Sequence, residues 1–222
     1  TLHRDYRRWM NDGACHSVTN YECYKGLYSS FNTSNLHEIA YSLNRQFGSE
    51  DWCLYSGRHL LCFADNHDVT RIASQLEDKA QLKPLYGLLF TMPGVPSLYY
   101  GSEWGTEGRK QDGDAALRPA VERPEWNELT DWVATMAKLH RTHPALIRGG
   151  YHNLNVQPKQ LAFVRWMESE RVLVAVNADS QSCWLGFQAD AAGGTDLLTG
   201  AHTAFNGGAV LPAYSCTCWK LD

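Results

Sequence analysis

The 222 residues carry 20 basic and 24 acidic side chains, a net charge of −4, with 44% hydrophobic and 20% charged residues. This is the balance of an ordinary folded globular chain, and it excludes the dense positive surface that holds nucleic acid or an anionic membrane. No run approaches the roughly 18 apolar residues of a membrane-spanning helix, and no signal peptide is visible.

In chain order, "HSVTNYECYKGLYSS" (16–30), rich in β-branched and aromatic residues, predicts a strand followed by a long loop. A helix is expected next, with Leu36, Ile39, Ala40, Leu43 and Phe47 on one face. Asn35 and Glu38 stand at capping-box spacing and Gly48 as the stop. "HLLCFA" (59–64) predicts a buried strand, and 77–94 a second helix with Pro84 early and Gly94 at its end. "VPSLYYG" (95–101) follows as another buried strand. After a Gly- and charge-rich loop, Asn127 caps a third helix with Leu129, Trp132, Val133, Met136 and Leu139 on its apolar side, closed by Pro144. This β-α rhythm, with strands apolar throughout, is the pattern of parallel strands covered by helices. From 149 onward the helical period vanishes. Segments 161–168, 171–178, 182–189 and 214–221 read as short strands between Gly, Asn, Asp and Ser turns, which predicts an antiparallel all-β sandwich.

Seven scattered cysteines without C-x-x-C spacing argue against zinc or redox motifs and fit a reduced, cytoplasmic protein. Aromatic residues at 12%, with eight Trp and eleven Tyr, suit the apolar faces of sugars but equally suit a core. The sharper signal is that the apolar run Leu60–Ala64 stops in Asp65, Asn66, His67 and Asp68. Polar or aromatic residues also follow the other strands, at 21–28 and 99–107, and active sites of parallel α/β folds gather at such carboxyl ends. For an isolated His-Asp pair the ordinary explanation is a capping aspartate beside a structural histidine. Three polar strand ends around one mouth reverse that preference.

"FADNHDVTRI" followed by "GVPSLYYGSEWGTEG" resembles the α-amylase family of retaining glycosidases, glycoside hydrolase family 13. The first stretch resembles its fourth conserved region, the second its eighth barrel strand. "RRWMNDGACHSVTNYECYKGLYSS" is similar to the branch of maltodextrin glucosidases, cyclomaltodextrinases and neopullulanases. The resemblance implies an α/β fold: the C-terminal half of a (β/α)8 barrel over 1–148 and a C-terminal β-sandwich domain over 149–222. It further implies that Asp68 is the transition-state stabiliser, bonding hydroxyls of the sugar at the cleaved bond, with His67 beside it. By the same resemblance Asp114 and Arg118 of "DAALR" hold the next glucose outward, although such an i, i+4 pair is also an ordinary surface salt bridge. Trp104 is a candidate sugar platform, while Glu103 and Glu107 are expected to shape their loop.

Retaining hydrolysis needs a nucleophile and an acid/base, both carboxylates. The opening "TLHRDYRRW" resembles the stretch that follows the family's acid/base glutamate, so both groups are expected upstream of Thr1. Asp5, Asp12 and Glu22 match neither motif. The 222 residues alone are then expected to be inactive on their α-glucan substrate. A half-barrel also leaves strand edges and an apolar inner face open, which predicts self-association or pairing with an N-terminal half-barrel. No cofactor is implied, and calcium is left open. Two rivals stand beside this reading: a catalytically incomplete amylase-like binding or scaffolding protein, and a metal-dependent hydrolase. The nine histidines form no H-x-x-x-H or H-E-x-x-H pattern for the latter.

Overall fold

The structure is a computed structural model that describes residues 5–222. The first four residues of the "TLHRDYRRW" stretch lie outside them. Thr19 bridges Leu61 in parallel, and β1 (Leu61–Phe63) pairs in parallel with β2 (Val95–Ser97), giving an arc of three parallel segments. Helices cover one side of the arc. On the other side Leu61 is 38% exposed and Val95 47%, and with Val18 they floor an open recess. The expected apolar inner face is open at Leu61 and Val95, while Phe63 on the same side of β1 is buried beside Tyr21 and Tyr24.

The segment 16–30, expected as a strand followed by a long loop, instead runs into helix α1 (Tyr21–Asn32). The Asn20 side chain accepts the Cys23 N–H at 3.1 Å, satisfying one of the donors a helix start leaves open. Cys23, Leu27 and Phe31 then fall on one buried stripe, and Gly26 lets the Ile39 side chain approach. Helix α2 (His37–Phe47) buries Ile39, Ala40, Leu43 and Phe47 as anticipated. The proposed Asn35/Glu38 capping box does not form, because the Glu38 carboxylate accepts from Lys25 and, at 2.7 Å, from Ser29 of α1. After β1 come α3 (Ile72–Gln75) and α4 (Leu82–Thr91), of which all but Lys83 is buried. α5 (Asp114–Leu117) and α6 (Glu128–Thr142) follow β2. Asn127 caps α6 in a capping box with Thr130, and Pro144 starts the short α7 (Pro144–Arg148).

The remainder is antiparallel. Strands β3 (Gly150–Val156), β4 (Gln160–Met167), β5 (Glu170–Asn177), β6 (Cys183–Gly186), β7 (Gly193–Asp196), β8 (His202–Ala204), β9 (Gly208–Leu211) and β10 (Ser215–Leu221) make two sheets. The larger has the order β3-β4-β5-β10-β7-β8, and β6 and β9 form a ribbon. Period-2 alternation splits β5 between two cores. Val172, Val174 and Val176 face the helices together with Cys216 and Cys218, while Leu173 and Ala175 face the ribbon with Leu185, Leu211 and Trp219. Burial on both faces explains why this strand is apolar without interruption. Helix α4 is apolar nearly all round for a related reason: it packs against β5 and β10 of the large sheet and against α6, within the core that also holds Leu60 and Cys62 of the arc.

Candidate active site

The polar end of β1 divides by depth. Asp65 is buried, and its two oxygens accept from the Ile72 N–H at 2.8 Å and the Ser102 hydroxyl at 2.7 Å. Burial raises its carboxyl above the usual range, opposed by those two bonds and by the charge of Arg71. Arg71 is completely buried and donates to Leu117 O (3.1 Å), Tyr100 O (2.8 Å) and Ser102 Oγ (3.1 Å). Its guanidinium lies 4.1 Å from the centroid of the Tyr99 ring. One cation thus ties the segment after β1 to the loop after β2 and to the end of α5.

Above this layer the chain surfaces. Asn66 Oδ1 accepts the Asp68 N–H at 2.8 Å, an Asx turn that presents His67 and Asp68 outward. His67 Nε2 lies 3.3 Å from Asp68 Oδ2. Arg118 donates Nε to the His67 carbonyl at 3.2 Å and Nη2 to Asp68 Oδ1 at 3.3 Å, and Nη2 stands 3.5 Å from Asp114 Oδ2. Asp114 also accepts from Lys110 at 3.1 Å, and this bond, with the Arg118 charge, holds its carboxyl below the usual range. Four predicted residues separated by about fifty positions therefore form one contiguous cluster. Their side chains are 43–59% exposed, so ion pairing here contributes little to stability. What the arrangement offers is a fork of donors between two carboxylates, with free edges toward solvent: a surface suited to vicinal hydroxyls.

Two local devices keep the α5 loop against β1. Arg71 N–H donates to Gly108 O at 2.9 Å, and Lys110 N–H to Thr70 Oγ1 at 3.1 Å. A Cβ on Gly108 would sit 2.1 Å from Ala116 O, so only glycine permits this approach. An aromatic wall flanks the cluster. Tyr24 stacks on Phe63 at 5.0 Å, and the Tyr99 ring lies 6.3 Å from His67.

Trp104 stands elsewhere in the loop after β2. Its carbonyl accepts from Asn127 at the start of α6, its side chain is half-buried, and no hydrogen bond or ring contact joins it to the cluster among the described residues. Glu107 pairs with Lys79, and the Glu103 carbonyl accepts from Thr130. Arg71 and Ser102 were not anticipated. The available signal was an arginine set directly before the buried Ile72 and Ala73. Among the described residues no group of three or more His, Cys, Asp or Glu could hold a metal ion, and no helix is long and apolar enough to cross a membrane.

The model of the alpha amylase catalytic domain matches residues 3–148. A cyclomaltodextrinase from Bacillus sp is 25% identical over 180 residues, 77% of this chain and 31% of that protein. An alpha-amylase from Haloarcula japonica is 30% identical over 171 residues, 73% of this chain and 24% of that protein. The structure of an Anoxybacillus alpha-amylase superposes with a TM-score of 0.83 at 24% identity, covering 100% of this chain and 51% of that one. The chain thus spans well under two thirds of the proteins it matches.

Proposed function

The chain belongs to the alpha-amylase family, and from that premise we propose that its residues form the sugar-binding part of a glycosidase site acting on α-1,4-linked maltodextrins or cyclodextrins. The observation that carries the reading is the Arg118 bridge, which joins Asp68 and Asp114 at the carboxyl end of β1. Asp68 bonds hydroxyls of the sugar at the cleaved bond. As oxocarbenium character develops these bonds strengthen, which is how a carboxylate that forms no covalent bond accelerates cleavage. Asp114 and Arg118 hold the next glucose outward, and His67 contacts the same sugar as Asp68. The nucleophile and the acid/base are carboxylates outside the 222 residues, and the product keeps the α configuration. Asp65 cannot stand in for either, because both of its oxygens are committed to Ile72 and Ser102. The exposed Leu61–Val95 face favours association with a second half-barrel or a second copy. Seven unpaired cysteines support a reducing compartment.

The test compares the product of the whole reading frame that contains these residues with its Asp68→Asn variant on maltotriose and a cyclodextrin. Loss of a transition-state contact lowers kcat by roughly 10²–10³ with little change in KM. Undiminished turnover in Asp68→Asn would overturn the assignment, and steady hydrolysis by the 222-residue chain alone would overturn the placement of the other two carboxylates.

A further inference from the structure

At the opposite end of β1 from the His67–Asp68 cluster lies a recess of about 110 Å³ between the segment leading into β1, the turn before β2, the end of α7 and the start of the large sheet. Its charged and titratable lining is Arg58, His59, Arg148 and Arg165, and no carboxylate lines it. Arg165, on β4, is completely buried. It donates Nε to Gly150 O at 2.9 Å, Nη1 to Thr91 O at 2.7 Å and Nη2 to Gly149 O at 2.9 Å. Three of its five N–H groups are so engaged, all by neutral carbonyls. A buried guanidinium ordinarily meets a carboxylate, because an uncompensated charge away from water is costly. Burial pushes Arg165 down to about 10, so it stays charged at neutral pH. Burial and the charges of Arg165 and Arg148 hold His59 below the usual histidine range.

We propose that this recess binds a small inorganic oxyanion, a tetrahedral sulfate or phosphate, as the counter-ion shared by Arg58, Arg148 and Arg165. The charges that act on His59 are Arg148 from the end of α7 and Arg165 from β4, while Arg58 lines the same recess with its guanidinium donating to the Met10 carbonyl; all three are cationic. A bound dianion reverses the local potential, so His59 takes up a proton more readily and binding tightens as pH falls toward the imidazole range. Because its ligands come from both sides of the junction, the anion also braces the large sheet against the parallel arc.

The experiment follows the melting temperature of the 222-residue chain and its histidine ring protons by NMR during titration with sulfate, whose charge is constant between pH 5 and 8. Sodium chloride at equal ionic strength is the control, and His59→Gln assigns the resonance. Expected are a saturable rise in Tm absent with chloride, an upward shift of the His59 titration, and about tenfold weaker sulfate binding in Arg148→Ala and Arg58→Ala. The Arg148 side chain is at the surface, so Arg148→Ala keeps the fold even if loss of the Arg58–Met10 carbonyl contact harms the other variant. Equal Tm responses to sulfate and chloride, or an unchanged sulfate response in Arg148→Ala, would overturn the proposal.

Discussion

Arg71→Met keeps the apolar stem of Arg71 and removes its charge. The variant loses three hydrogen bonds, to Leu117 O, Tyr100 O and Ser102 Oγ, and the contact with the Tyr99 face. Bonds to a charged donor are worth about 1.5–3 kcal/mol each and a desolvated cation–π contact about 2. These terms are not additive, since the freed carbonyls find other partners, and breaking a buried charged network costs about 3–5 kcal/mol in all. The loss also depends on pH. Burial already raises the Asp65 carboxyl above the usual carboxylate range in the fold, and removing the Arg71 charge raises it further. A carboxyl with a raised folded value contributes stability that is full below the unfolded value and is lost as pH rises through the folded one. The deficit of Arg71→Met is therefore smaller near pH 4 than at pH 7, and adding Asp65→Asn removes the pH-dependent part. Urea unfolding followed by tryptophan fluorescence at both pH values measures it. A loss below about 1 kcal/mol, or an equal loss at both pH values, would refute the account.

On the proposed function, Arg118→Lys in the product of the whole reading frame keeps the charge but not the fork that reaches both Asp68 and Asp114. Steady-state kinetics should show KM for maltodextrins rising about tenfold with kcat changed less. A methyl group on Gly87 would lie 2.3 Å from Cys216 Cβ, so Gly87→Ala should cost about 1–3 kcal/mol through the contact between α4 and β10. Cys216→Ala in that background should restore part of the loss, and additive effects in thermal melts would argue against direct contact. Val95 and its cross-strand partner Leu61 are the exposed centre of the inner face. The 222-residue chain should elute as a dimer or larger in size-exclusion chromatography at micromolar concentration, and Val95→Lys should shift it toward monomer. A monodisperse wild-type monomer would count against that surface as an interface.

Legibility in the sequence followed how local the determining physics was. The Asn127 cap and the Val133, Met136 and Leu139 stripe of α6 are short-range signals, and the helix lies where they put it. Helix α1 was hidden because the β-branched and aromatic residues of 16–30 favour extended chain by propensity. Its actual determinants are the Asn20 cap and the approach of Gly26 to Ile39, a contact of tertiary origin. Strands β3, β7, β8 and β9 were not anticipated. "GGTD" and "GYHNLNV" lack an alternating apolar pattern, and pairing with neighbours makes them strands. At the site, the "DNHD" stop announced itself as a cost that needed a reason. That Arg118 reaches Asp68 could not follow from spacing, since a fifty-residue separation contains no geometry. Arg71 was hidden for the same reason: its acceptors are two carbonyls and a hydroxyl supplied by residues 100–117.

The wiring of Arg71 bears on how such a site can be inherited. Every hydrogen-bond acceptor of its guanidinium belongs to the segment after β2, while Arg71 belongs to the segment after β1. A recombination or graft whose crossover falls between them parts the cation from all of its acceptors, and the incoming loop arrives without its anchor. One that carries 65–119 as a block transplants His67, Asp68, Asp114 and Arg118 along with the struts beneath them. The stretch thus forms one hydrogen-bonded block, and exchange between relatives is expected to respect its edges rather than the edges of individual loops.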